Sequence, residues 1–237
     1  RALKSNTTAS NNTAVGYHAG EEITTGANNT CVGKTALTAV TTGAGNTVVG
    51  TSAAVANTTA ANNTIVGFEA FGTNTTGHSN VAIGKATMYG NTTGDLNTAA
   101  GYAALSGNTT ADNNTAFGAY ALQANTTGTQ NTAVGANAGD AITTGSYNVG
   151  LGNNAIGAVT TGSNNVGLGV QALFNTTGRN NVEVGTTAMN ANTSASNNTA
   201  VGHNTLAANT TGAENVAVGT LALDANTVGT RNVALGY

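Results

Sequence analysis

The sequence predicts an all-β fold, a parallel β-solenoid of fourteen coils, and three observations support this prediction. A glycine recurs every seventeen residues, β-branched and other apolar residues return in the same register before it, and an Asn always lies four residues upstream. Fixed short periodicity indicates a solenoid, in which each coil buries its apolar face only by stacking on its neighbours. We call the recurring glycines the marker glycines: Gly16, Gly33, Gly50, Gly67, Gly84, Gly101, Gly118, Gly135, Gly152, Gly169, Gly185, Gly202, Gly219 and Gly236.

One coil is shorter than the others. The step between Gly169 and Gly185 is sixteen residues, and the missing residue lies just after Phe174. The otherwise unbroken repeat predicts a single open-ended domain over residues 1–237, with one short unit near 170–185. Because neither end carries a capping unit, we expect an excerpt of a longer array or a unit that stacks end to end on copies of itself.

The composition excludes several classes of partner. Charged residues make up 6% of the chain and the net charge is −3, so no basic stripe is present and nucleic acid is not expected as a partner. No apolar run is long enough to predict a membrane span within this segment. The single cysteine, Cys31, permits no intrachain disulfide.

Each coil divides into columns of equivalent residues. The Asn residues four positions before the marker glycines form the asparagine column, which we expect to be a hydrogen-bonded ladder at a turn. The flanking columns lie three residues and one residue before the glycine, as Val81 and Ile83 do. Because residues of these two columns alternate with the residue between them and include many β-branched side chains, they predict a short strand with both flanking columns facing the core. The invariant glycine indicates a positive φ or backbone packed too close for a Cβ.

A second apolar segment follows the glycine. Ala occupies the third position after it, and the fourth position is the large-residue column, which includes Leu37, Phe71 and Met88. Gly20 and Gly139 replace the large residue in two coils, and an Ile stands three positions later in both. This exchange of volume predicts a shared, close-packed core.

The alanine column, two residues before the marker glycine, is predicted to face away from the core. It is small and apolar in all coils except the one with Glu183, so we expect a partner to cover it, and another copy of the chain is the favoured partner. The alternative is that Ala and Gly are fillers on a sheet face. The predicted interface consists of Ala14, Val48, Ile65, Ala82, Ala99, Ala116, Ala133, Ala200, Ala217 and Ala234.

The segments Asn80-Val-Ala-Ile-Gly84 and Asn215-Val-Ala-Val-Gly219, each followed by Ala or Thr three residues on, resemble the YadA-like head repeats of trimeric autotransporter adhesins and related phage tail-fibre repeats. The resemblance implies a left-handed β-roll, three of which associate with the small strand residues at the trimer interface. The family's unit is shorter, and the Thr-Thr-Gly turn is an addition in this chain.

The columns repeat like residues, whereas an enzyme needs unlike residues brought together, so we expect neither a catalytic site nor a cofactor. His78, Asp95 and Asp112 share one turn column and are a weak candidate for a cation site, the alternative being a variable solvated turn. Phe68, Lys85 and Tyr102 share the column after the marker glycine and are a candidate contact for a sugar or receptor, the alternative being chance decoration.

The leading functional hypothesis is a rigid, self-associating structural or adhesive segment of an extracellular fibre, from a bacterial surface adhesin or a phage tail fibre. Its expected partners are copies of itself and a cell-surface receptor or glycan. The alternatives are a self-assembling single-chain surface filament and an ice-binding solenoid with a Thr array. Fourteen Asn-x-Ser/Thr triplets, including Asn57 and Asn91, would be glycan acceptors in a host with the right transferase.

Overall fold

The computed structural model describes all 237 residues and contains only β-strands, turns and loops. Fourteen parallel strands, one from each coil, stack as a β-solenoid, which confirms the predicted fold class. No segment is a helix of the length and hydropathy that a membrane crossing requires. The strands are β1 (Thr13–Val15), β2 (Thr30–Val32), β3 (Thr47–Val49), β4 (Thr64–Val66), β5 (Val81–Ile83), β6 (Thr98–Ala100), β7 (Thr115–Phe117), β8 (Thr132–Val134), β9 (Val149–Leu151), β10 (Val166–Leu168), β11 (Val182–Val184), β12 (Thr199–Val201), β13 (Val216–Val218) and β14 (Val233–Leu235).

The chain forms two compact units, Arg1–Ala119 with β1 to β7 and Tyr120–Tyr237 with β8 to β14. Within each unit every strand pairs in parallel with the strand of the next coil, and equivalent residues lie side by side, as Ala82 does beside Ala99. The predictions of a single domain and of left-handed coiling stay predictions.

The asparagine column is the predicted ladder, and its hydrogen bonds are now specified. The backbone N–H of Asn46 donates to Asn29 Oδ1 at 2.9 Å, and Asn46 Nδ2 donates to the carbonyl oxygen of Ala60 at 2.9 Å. Both amides are buried, so the ladder satisfies polar groups that water cannot reach. The ladder continues through the short coil, where the N–H of Asn181 donates to Asn165 Oδ1 at 3.1 Å.

The marker glycines satisfy both reasons proposed for their invariance. Gly84 has a φ of +131°, a backbone conformation that residues with a Cβ rarely adopt. A Cβ built on Gly84 would also lie 2.6 Å from the carbonyl oxygen of Gly101 in the next coil. Backbone strain and backbone contact therefore both exclude other residues at this corner.

The predicted orientation of the strands is wrong. The alanine column points into the coil, and eight of its ten residues predicted as an oligomer interface are fully buried within the chain. They are Val48, Ile65, Ala82, Ala99, Ala116, Ala133, Ala200 and Ala217, while Ala14 and Ala234 in the terminal coils are half-buried. A column that is already covered by its own chain cannot form the surface that meets a partner.

The volume of the coil interior explains why the alanine column is small. The large-residue column fills the space that faces it, so a Cβ on Gly150 would lie 2.6 Å from Ile156 Cγ1 and one on Gly167 would lie 2.8 Å from Ile156 Cγ2. Core packing at this density leaves room for Ala or Gly opposite a Leu, Ile or Met. The small residues are therefore the complement of the large ones inside one coil.

The exchange of volume between columns is confirmed. A Cβ on Gly139 would lie 3.1 Å from Ile142 Cδ1, and a Cβ on Gly20 would lie 2.9 Å from Ile23 Cδ1. Both Ile side chains are fully buried and occupy space that a large residue takes in other coils.

Glu183 lies in the buried alanine column, beside Gly167 of the preceding coil. Neither carboxyl oxygen has a hydrogen-bond partner. Burial raises the pKa of Glu183 well above its ordinary value, because the charged form loses its hydration there. Glu183 therefore lies in the core of the chain and not on a surface that could meet a partner.

Candidate interaction surfaces

The flanking columns form an exposed apolar surface on each unit. Because adjacent residues of a strand point to opposite faces, burying the alanine column turns both flanking columns outward. Ile83 of the first unit is 44% exposed and Leu151 of the second unit is 40% exposed. The other exposed apolar members are Val15, Val49, Val66 and Phe117 in the first unit, and Val134, Val182, Val184, Val216, Val218, Val233 and Leu235 in the second.

This surface is the feature that the sequence-based prediction placed inside the coil. Both faces of each strand carry apolar residues, although one flanking column is Thr in eight of the fourteen coils, so alternation alone does not identify the inner face. Residue size was the signal available in the sequence, because the columns opposite the large-residue column must be small. The flanking columns contain Val, Ile, Leu and Phe, which are too large for that place.

The structure brings Phe68, Lys85 and Tyr102 together in three successive coils of the first unit. Lys85 Nζ lies 5.8 Å from the ring centroid of Phe68 and 5.8 Å from that of Tyr102. Both distances fall within the range of cation–π attraction. The two rings are each 45% exposed, so this aromatic–lysine triplet presents two apolar rings and an ammonium group along one line of the surface.

The structure also brings His78, Asp95 and Asp112 together, as partners in a chain of hydrogen bonds. The backbone N–H of His78 donates to Asp95 Oδ1 at 2.7 Å, and that of Asp95 donates to Asp112 Oδ1 at 2.7 Å. His78 Nε2 lies 3.2 Å from Asp95 Oδ2. No three His, Cys, Asp or Glu side chains form a group that could hold a metal ion.

The same turn column has an equivalent chemistry in the second unit. The N–H of Ser146 donates to Ser163 Oγ at 3.1 Å, and the N–H of Arg179 donates to Ser196 Oγ at 3.0 Å. In this column, carboxylate and hydroxyl oxygens thus both accept a hydrogen bond from a backbone N–H of the preceding coil. The column is explained by turn hydrogen bonding.

The Asn-x-Ser/Thr triplets fall into a buried set and an exposed set. Asn74 and Asn91 belong to the buried set, where Asn91 Nδ2 donates to Asn74 Oδ1 at 2.8 Å and to the carbonyl oxygen of Gly94 at 3.0 Å. A glycan on such a nitrogen has no space. The fully buried set includes Asn57, Asn74, Asn91, Asn108, Asn125, Asn192 and Asn209. The exposed set contains Asn175 of the short coil and five residues at a turn one position before the asparagine column: Asn11, Asn28, Asn62, Asn113 and Asn197. The remaining triplet, at Asn6, is half-buried.

Neither unit contains a pocket, so the surfaces available for binding are flat. No known family model matches the sequence, and no characterised protein matches it closely enough to indicate a relationship. The exposed flanking columns and the aromatic–lysine triplet are therefore the surface features that can indicate a function.

Proposed function

We propose that this chain is a structural and adhesive segment of an extracellular fibre, and that its coils associate with copies of the same chain through the flanking columns. The observation that carries the proposal is the strand face formed by the flanking columns, which carries apolar residues on every coil and is exposed on most coils and half-buried on the others. Exposed apolar surface of this extent is typical of a protein interface.

A second copy of the chain is the partner that fits this face best. The face repeats with the coil spacing of about 4.8 Å, so only a partner with the same repeat keeps its side chains in register over many coils. A copy meets that condition on each strand, and closed assemblies of identical chains are the commonest oligomers. The resemblance to trimeric adhesin and tail-fibre repeats favours three copies.

The mass in solution tests this proposal. We expect a fixed threefold mass for the wild-type chain, and a monomer for the double variant Ile83→Glu with Leu151→Glu, because two charges would be buried without partners at the interface. The matched control is Thr93→Glu with Thr161→Glu, which adds the same charge to exposed turn positions of the same two coils.

Two outcomes would contradict the proposal: a wild-type chain that stays monomeric at every concentration, or an oligomer that survives the Ile83→Glu and Leu151→Glu charges. A ladder of masses that grows with concentration would instead support the filament, in which single chains join end to end. Circular dichroism must show that each variant retains its β-structure.

Ice binding is a second candidate function, supported by the exposure of Thr residues in register. In the closing turn, the first Thr hydroxyl donates to the next coil, as Thr75 Oγ1 does to the carbonyl oxygen of Thr92 at 3.1 Å, while the second Thr is exposed, as Thr76 is. One Thr column per turn therefore faces solvent. Thermal hysteresis of the purified chain tests this candidate, and its absence rejects ice binding.

A further inference from the structure

The aromatic–lysine triplet holds its cation between two rings and not against a carboxylate. Two other cations do pair with carboxylates of adjacent coils: Lys4 with Glu21 at 3.4 Å and Arg231 with Glu214 at 2.7 Å. The ammonium group of Lys85 makes no ion pair, and its neighbours in the column are the two rings. The rings hold the side chain in place while its charge stays available to an anion.

The shape of the site indicates a polymeric ligand. Small molecules bind in concave pockets, and neither unit contains one. The triplet lies on a flat line instead, with its two rings two coils apart, or about 9.6 Å at the strand spacing of parallel sheets. An extended polymer that runs across the coils can contact both rings and the ammonium group at once.

The same column carries a second aromatic–cation pair three coils earlier. Tyr17 and Lys34 occupy successive coils of the first unit, Tyr17 is 64% exposed, and Lys34 is exposed and makes no ion pair. The equivalent column of the second unit contains no Lys or Arg, and its only aromatic members, His203 and Tyr237, lie two coils apart. Rings and lysines in successive coils of this column are therefore found in the first unit alone.

We propose that the column containing Phe68, Lys85 and Tyr102 binds an acidic polysaccharide. Pyranose rings present apolar C–H faces that stack on exposed aromatic rings, and the Lys85 ammonium, with its three N–H donors, bonds the carboxylate or sulfate of the same chain. Nucleic acid fits less well, because the chain has a net charge of −3 and few cations to neutralise successive phosphates. This inference depends on the proposed adhesive function and names its ligand class.

Calorimetric titration of the full chain with polygalacturonate, alginate and hyaluronate tests the inference. We expect binding to at least one of them, and about a tenfold or greater loss of affinity in Lys85→Gln, where a charge-assisted hydrogen bond is removed. The double variant Phe68→Ala with Tyr102→Ala should lose about as much, because both stacking surfaces are removed.

The controls separate charge from stacking. Arg179→Gln removes an exposed cation that has no ring beside it, and Tyr147→Ala removes an exposed ring in another column; both should bind like the wild type. Fully methyl-esterified polygalacturonate has the same sugar backbone without its charge and should bind at least about tenfold more weakly than the free acid.

Failure to bind any of the three polysaccharides would overturn the inference, as would equal affinity of Lys85→Gln and the wild type. Equal or tighter binding of polyglutamate or of single-stranded DNA would assign the site to a different polymer and would also overturn it. Mass measured on the same samples keeps the two proposals apart: a trimer that binds no polysaccharide contradicts only the ligand, and a monomer that binds one contradicts only the self-association.

Discussion

The close packing between columns can be tested at Gly139 and Ile142. Most coils have a large residue and a buried Asn at these two positions, whereas this coil has Gly and Ile. The variants are Gly139→Leu, Ile142→Asn and the double variant, which restores the common pattern. A Cβ at position 139 would lie 3.0 Å from Leu122 Cδ2 and 3.1 Å from Ile142 Cδ1, so the space for a Leu is already occupied.

The expected magnitudes follow from these contacts. Gly139→Leu overpacks the core and should cost about 1–3 kcal/mol. Its positive φ adds little to this cost, because Leu37 and Leu122 adopt similar φ values in other coils. Ile142→Asn leaves the emptied space unfilled and should cost about 2–4 kcal/mol. The double variant should lie within about 1 kcal/mol of the wild type, which implies a coupling energy of about 2 kcal/mol or more.

Urea-induced unfolding monitored by circular dichroism measures the four stabilities. The same cycle at Gly20 and Ile23, where the Gly Cβ would lie 2.9 Å from Ile23 Cδ1, provides an independent repeat in the other unit. Costs that add to within about 0.5 kcal/mol in both cycles would refute the reasoning, because independent sites show that behaviour.

Three further predictions concern single features. Gly152→Ala should reduce the free energy of unfolding by at least about 3 kcal/mol, because φ is +135° and the new Cβ would lie 2.5 Å from the carbonyl oxygen of Gly169. A free energy of unfolding in urea close to that of the wild type would contradict this prediction. Glu183→Gln should stabilise the chain at neutral pH, and this gain in stability should shrink as the pH falls towards 4.5. Because the raised pKa keeps the folded carboxyl protonated while the unfolded carboxyl ionises, the stability of the wild type falls as the pH rises above 4.5. Urea titrations across this pH range that give parallel stability curves for the variant and the wild type would contradict the account. A soluble Asn-glycosyltransferase should modify the folded chain only at exposed triplets and the denatured chain at both sets, and glycopeptide mass spectrometry would reject this if the folded chain carried glycans on the buried Asn residues. The exposed triplets are at Asn11, Asn28, Asn62, Asn113, Asn175 and Asn197.

Some parts of the candidate sites could be predicted from the repeat register, and others could not. Phe68, Lys85 and Tyr102 share a column, so their proximity followed from the coil spacing, and the ring-to-ammonium distances agree with it. The hydrogen bonds of Asp95 did not follow, because the sequence does not show that a backbone N–H from the preceding coil points at its carboxylate. The burial of Asn91 was also missed, since an Asn-x-Thr triplet reads the same on a surface and in a core.

The sequence by itself determined the solenoid, its fourteen coils, the place of the short coil and the asparagine ladder. Each of these depends only on which residues recur at a fixed step, and stacking brings equal positions side by side. The tertiary structure decided which face of the strand is buried. Ala82 and Ile83 are both apolar, and the choice depends on the volume that the large-residue column leaves inside the coil, which admits an Ala side chain and excludes an Ile at most positions. That choice moved the proposed self-association surface from the alanine column to the flanking columns.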